Sequence, residues 1–277
     1  MRTCRSLKQR RVTILVTIVG IVTLAMTLAC RMQTTTRSLY HGHRFPAVVI
    51  SQAVLWHFRF QLSLRDIEEL LFERGVIVSY ETIRRWCDKF GASFAHRAKA
   101  ARRKPGSTWH LDEMFVTLSG EPYMLWRAVD QHGAELDILL RKRRDKTAAK
   151  RFFKRVLAAC PEGPRKIVTD RLRSYPAAKA EIPWLANVRH VFVKAWARVN
   201  NRPENIHQPT REREQRKRGL RRLERAQAFL SSFGPIRRHF ALKRHLLRPS
   251  LYRKQLATRF DAWRLFTGLT QNPSAAF

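Results

Sequence analysis

Trp109-His110-Leu111-Asp112-Glu113-Met114-Phe115-Val116-Thr117-Leu118 is the stretch on which the reading of this chain turns. Its polar and apolar residues alternate loosely, as on a strand with one buried face. Asp112 falls between Leu111 and Met114-Phe115, where an unpaired charge is costly, so the position calls for a partner. Successive side chains of a strand point to opposite faces, so Glu113 is expected to turn away from Asp112 and stand outside any site built on it. Trp109 is expected in the core.

Downstream, Ser119-Gly120-Glu121-Pro122 is a turn, residues 123–129 a second strand, Gln131-His132-Gly133 another turn, and residues 135–140 a third strand. Tight turns between such runs predict an antiparallel meander. Trp126 belongs to its core, and Asp130, Asp137 and Asp145 read as turn or surface acids. Residues 146–159 carry Phe152, Phe153, Val156 and Leu157 on one helical face. Ile167-Val168-Thr169 is a short buried strand with Asp170 at its carboxyl end, and residues 188–193 fit another. Asn200 or Asn201 can cap the next helix. Pro203 sits in its first turn, where a missing N–H costs nothing, and Glu204 follows.

Three antiparallel strands, a helix, a strand and more helices define an α/β fold of the ribonuclease-H-like kind, a mixed sheet flanked by helices. In that arrangement the first and fourth strands are neighbours. Asp112 and Asp170 would meet across 58 residues of sequence, and the helix near Glu204 can lower a third carboxylate onto them. Carboxylates suit Mg²⁺, a hard cation that takes oxygen ligands, and Mn²⁺ could substitute. Two such ions roughly 3.5–4 Å apart activate a water and steady a leaving oxygen in phosphodiester chemistry. The expected roles are Asp112 bridging both ions, Asp170 holding one and Glu204 the other.

Composition points to the same substrate class. With 55 Lys and Arg against 21 Asp and Glu, the 277 residues carry a formal charge of +34. That predicts a polyanionic partner, DNA or RNA, while 44% hydrophobic residues still supply a core. Cys4, Cys30, Cys87 and Cys160 lie at no metal-binding spacing, which argues against a cysteine zinc site and a disulfide framework.

The first 39 residues differ from the rest. Residues 12–30 hold no charge and follow Arg2, Arg5, Lys8, Arg10 and Arg11, the pattern of a signal peptide or membrane span. A basic amino end stays inside, which would send a DNA-binding body outward. We therefore expect residues 1–31 to be absent from the working protein, with Met32 as the alternative start.

Residues 40–100 read as a helix-turn-helix DNA-binding domain. Val49, Val54, Leu55 and Phe58 mark a first helix; Ser63 caps a second with Asp66 in its first turn; Gly75 breaks it; Ser79 caps a third. Arg84, Arg85 and Lys89 on that last helix are expected near DNA. A basic linker, residues 97–104, leads to the catalytic domain at 101–215. Residues 201–277 contain 18 Lys or Arg and 5 Asp or Glu. In the basic helical region 216–277, Leu220, Leu223, Ala226, Phe229 and Leu230 have helical spacing, as do Phe240, Leu242, Leu246 and Leu247. On the helix from Glu204, His207 and Arg211 share a face and are expected at a scissile phosphate.

WHLDEMFVTLSG, YMLWRAVDQHG, KRRDKTAAKRFFKRVL, VTDRLRSY and NNRPENIHQPTRERE resemble the insertion sequence six (IS-six) family of bacterial transposases, over about residues 40–269. The resemblance includes each acid with its flanks and the 34-residue step from Asp170 to Glu204. It implies an integrase-like core with a DDE triad of Asp112, Asp170 and Glu204. It further implies binding of terminal inverted repeats, metal-dependent cleavage at 3′ ends, strand transfer into target DNA and cointegrate formation. A homodimer or higher oligomer, no small-molecule substrate, no membrane partner and a cytoplasmic, nucleoid-associated location belong to the same expectation. Residues 1–39 have no counterpart in the family, and Pro203 replaces a small residue. The rival reading is a membrane-tethered DNA-binding regulator without catalysis.

Overall fold

The computed structural model describes residues 38–60, 62–170, 174–193, 201–217 and 220–269, with backbone alone at 201–206. The expectations for the apolar amino-terminal segment fall outside the described residues. Contacts divide the chain into two units, Met1–Arg44 and Phe45–Phe277. The second contains every helix and strand described below.

Helix α1 (Ala47–Arg59), α2 (Leu64–Phe72) and α3 (Tyr80–Ala100) come first. Ser63 accepts from the Asp66 amide while the Asp66 carboxylate accepts from the Ser63 amide, a reciprocal capping box. Gly75, at φ +74°, turns the chain between α2 and α3 in a conformation other residues resist. Ser79 caps α3. The helix then runs on through Ala100, so the first part of the expected linker is helical.

The sheet follows: β1 (Thr108–Leu118), β2 (Glu121–Asp130) and β3 (Glu135–Arg141), then α4 (Lys146–Ala159), β4 (Lys166–Thr169), α5 (Ser174–Ala180) and β5 (Arg189–Phe192). The strand order is β3-β2-β1-β4-β5. β1–β2 and β2–β3 are antiparallel, β1–β4 and β4–β5 parallel. This is the mixed, ribonuclease-H-like sheet expected, with the first and fourth strands adjacent. Helix α6 (Asn201–Arg216), α7 (Leu223–His239) and α8 (Pro249–Phe266) complete the unit.

Two apolar layers hold it together. On one face Trp109, Leu111 and Trp126 pack with Phe152 and Phe153 of α4 and Tyr175 of α5. On the other, Met114, Val116 and Leu125 pack with Ala226 and Leu230 of α7. Both tryptophans are core residues, at 1% and 0% exposure. At roughly 1.5–3 kcal/mol per buried large apolar side chain, these layers dominate the stability of the sheet. Helices α1 and α3 pack against α7. Two expectations need correction. Asp137 is buried and paired with Arg155 rather than a surface acid. Residues 240–247 form only a short 3₁₀ turn, Arg244–Leu246, because Phe240 already closes α7.

Candidate functional site

Asp112, Glu113 and Asp170 each offer a carboxylate oxygen, all within 4.8 Å of one another. The fold explains the meeting of the two aspartates. β4 pairs with β1 only as far as His110↔Val168, so Asp170 leaves the end of β4 beside Asp112. The expectation that Glu113 stands apart is overturned. Its side chain does go to the other face, toward Tyr175. But β4 has ended there, β1 has an open edge, and carboxylates from both faces reach round it.

The cluster is short of positive charge. Arg144 is 3.2 Å from Glu113 and 3.3 Å from Asp170, its guanidinium 41% exposed. The Glu113 carboxyl is 2% exposed, and its Oε1 is buried without a hydrogen-bond partner. Burial, then the neighbouring Asp170 charge, push its pKa up to about 7. Three crowded oxygen donors, one of them orphaned, fit a hard divalent cation.

Asp112 is held from behind. Arg127, opposite it in the β1–β2 register, is 2% exposed. It pairs with buried Glu135 at 3.2 Å, donates to Thr210 Oγ1 at 2.8 Å, and lies 3.0 Å from His207 Nδ1. A guanidinium can only donate, so Nδ1 is the acceptor and the ring proton sits on Nε2. That nitrogen is 3.3 Å from Asp112 Oδ2. Burial lowers the His207 pKa, the Asp112 hydrogen bond opposes that shift, and Arg127 adds to it. A neutral His207 therefore donates to Asp112. The approach of α7 to Glu135 requires Gly234: a Cβ there would collide with the Glu135 carboxylate.

The other expected site residues are placed as follows. His207 is buried on Asp112 rather than open to a phosphate; Arg211, four residues on, is exposed. Glu204 lies on the α6 backbone three residues before His207, hence about one turn away. Arg84 is tied to Glu81 and to Asp88, Arg85 is largely exposed with Glu81 at 3.7 Å, and Lys89 lies 5.6 Å over the Phe90 ring. The buried Arg127 and Glu135 carried no sequence signal beyond a charged residue inside an otherwise apolar strand.

Residues 106–243 match a family described as a DDE domain. The chain is 37% identical over 139 residues to the transposase for insertion sequence-like element IS431mec of Staphylococcus aureus strain Mu50, covering 50% of this chain and 62% of that one. It is 36% identical over 139 residues to the transposase for insertion sequence element IS257 in transposon Tn4003 of Staphylococcus aureus, with the same shares. Among solved structures, the catalytic domain of Mos1 mariner transposase superposes at a TM-score of 0.36 and 10% identity, covering 66% of this chain and 92% of that one. Residues 106–243 thus carry a DDE domain, and the relatives that share this segment include insertion-sequence transposases. It spans 62% of the length of the curated relatives it matches. Among the described residues, no helix is long and apolar enough to cross a membrane.

Proposed function

We propose that this protein is the transposase of a bacterial insertion sequence. It binds terminal inverted repeats, cleaves the element's 3′ ends and joins them to target DNA, giving cointegrates. The observation that carries this is the convergence of Asp112, Glu113 and Asp170 within a segment that matches a DDE domain. The rival regulator gives no reason for three carboxylates to share so small a space.

Asp112, Asp170 and Glu204 are the proposed catalytic acids and holders of Mg²⁺, with Glu113 touching the same space. A divalent cation bound there supplies Lewis-acid activation of an oxygen nucleophile and charge neutralisation at phosphorus. The protein's own groups set the stage. His207 Nε2–H fixes one oxygen of Asp112, and the Glu113 amide donates to the other at 3.0 Å. Arg211 is exposed on α6 and suited to a DNA phosphate, as are Arg85 and Lys89 on α3. The protein acts as a homodimer or larger assembly on paired element ends, and it works in the cytoplasm at the nucleoid.

The test is strand transfer from a donor plasmid bearing the element's ends, with Mg²⁺ or Mn²⁺. Asp112→Asn and Glu204→Gln are expected to abolish transfer while sparing DNA binding in gel-shift experiments. Transfer that survives either substitution removes that residue from the triad. If every acid variant in the cluster stays active, the catalytic reading fails.

A further inference from the structure

We infer that the cavity bounded by α2, α3, the carboxyl end of α6 and the start of α7 seats a few unpaired nucleotides of DNA, beside the strand that reaches the carboxylates. The inference rests on the transposase reading for the kind of ligand and on its own geometry for the site.

The cavity is half-open and measures about 1210 Å³. That exceeds the roughly 300–1,000 Å³ usual for a drug-sized ligand and is too small to swallow a duplex. Eight cationic side chains line it against two carboxylates, Asp66 and Asp88. Both acids are already engaged, Asp66 in the cap of α2 and Asp88 with Arg84 of the same wall, which leaves the other cations of the lining without a carboxylate of their own there. Arg65, Arg216, Arg221, Arg222 and Arg225 are exposed there without an ion pair among the described residues. Arg213 is 2% exposed, yet it bonds only to neutral groups: His57 Nδ1, the His57 carbonyl and the Leu62 carbonyl. Its Nε is buried without a hydrogen-bond partner. Lys217 lies 3.2 Å over the Phe229 ring, and burial followed by Arg213 pulls its pKa down to about 7. So much confined positive charge calls for an anion.

Rings in the same wall narrow the choice. Tyr80 is 45% exposed at the rim, with the Arg65 guanidinium 5.7 Å over it. Phe229 stacks on Phe58 deeper in. Cations for phosphates beside an open aromatic face are how single strands are held, since each base offers a face to stack on. Paired bases hide those faces. The location also fits: from His207 to Arg216, α6 rises about 14 Å, a distance a few nucleotides bridge.

The experiment uses the full chain in EDTA with a fluorescein-labelled eight-residue oligothymidylate, followed by anisotropy across salt concentrations. Without metal there is no strand transfer, so binding is scored independently of catalysis. Arg222→Glu with Arg225→Glu should weaken binding on the order of tenfold or more and flatten the salt slope, which for a single strand is about −0.7 per phosphate contacted. Tyr80→Ala should weaken it on the order of tenfold with the slope retained, the mark of stacking rather than ion pairing. All three positions are exposed, and an unchanged thermal melt verifies folding. The proposal is overturned if the arginine pair has no effect, or if blunt duplex of equal length competes as well while Tyr80→Ala does nothing. Displacement by inorganic triphosphate as effective as by the oligonucleotide would likewise reduce the cavity to a general anion site.

Discussion

Arg127 and Arg213 are each 2% exposed, and they are buried on different terms. Arg127 is neutralised: Glu135 balances its charge, and His207 Nδ1 and Thr210 Oγ1 accept hydrogen bonds from it. Arg213 has only carbonyls and a neutral ring, with a cationic cavity in front of it. A buried charge without a countercharge is unfavourable by several kcal/mol. An arginine with a buried countercharge is thus scaffolding, here a brace for Asp112, whereas one with only neutral partners keeps its charge available to an anion. Helix α6 joins the two regions, His207 meeting the acids near one end and Arg213 facing the cavity near the other.

The sharpest way to break the contrast is Glu135→Gln, which puts Arg127 into the state of Arg213. About 3–5 kcal/mol of stability should vanish, the usual effect of stranding one member of a buried pair; urea unfolding measures it, and a loss below about 1 kcal/mol would mean Arg127 needs no countercharge. Next in size is Glu113, an under-paired buried acid. Its folded-state pKa of about 7 stands above the ordinary 4.5. The folded protein therefore keeps a proton that the unfolded chain gives up, and metal-free stability should fall as pH rises through that window and level off above it. Glu113→Gln should abolish this slope and stabilise the metal-free protein by as much as about 3 kcal/mol at pH 8. Adding Mg²⁺ should raise the wild-type melting temperature more than the variant's; an identical response in both would exclude Glu113 from the metal's surroundings. The smallest effect belongs to Arg213→Met. With no carboxylate to strand, it should change stability by less than about 1 kcal/mol or raise it, while weakening oligonucleotide binding. A loss as large as that of Glu135→Gln would make the two arginines equivalent and end the distinction.

Much of the scaffold was legible before any coordinates, and for local reasons. The Ser63–Asp66 box, the hairpin at Ser119-Gly120, the apolar stripe of residues 146–159 and Asp170 behind Ile167-Val168-Thr169 are each written within a few residues. Helix α5 was not, since Pro176 at its start and the short Ser174–Ala180 span look like loop. Residues 240–247 had helical spacing without a helix, because spacing alone cannot tell where α7 stops. The part Glu113 plays was hidden for a subtler reason. Side-chain alternation held, but where β4 ends relative to β1 is a tertiary fact. The cavity was hidden too: its arginines come from three separated segments, and each looks like ordinary solvated surface by itself.

The β1–β2 hairpin has a consequence for how this protein tolerates insertion and deletion. Its two-residue turn holds Ser119 at φ 50° and Gly120 at φ 86°, and Asp112 faces Arg127 across ten paired positions. Adding or deleting one residue anywhere in that stretch would invert the strand, turning Asp112 toward the tryptophan layer and away from its brace. On the proposed transposase function, a single codon gained or lost there should abolish strand transfer as surely as a stop, even where the protein still folds, which makes this hairpin the first place to inspect when asking whether a copy of such a gene still encodes a working protein.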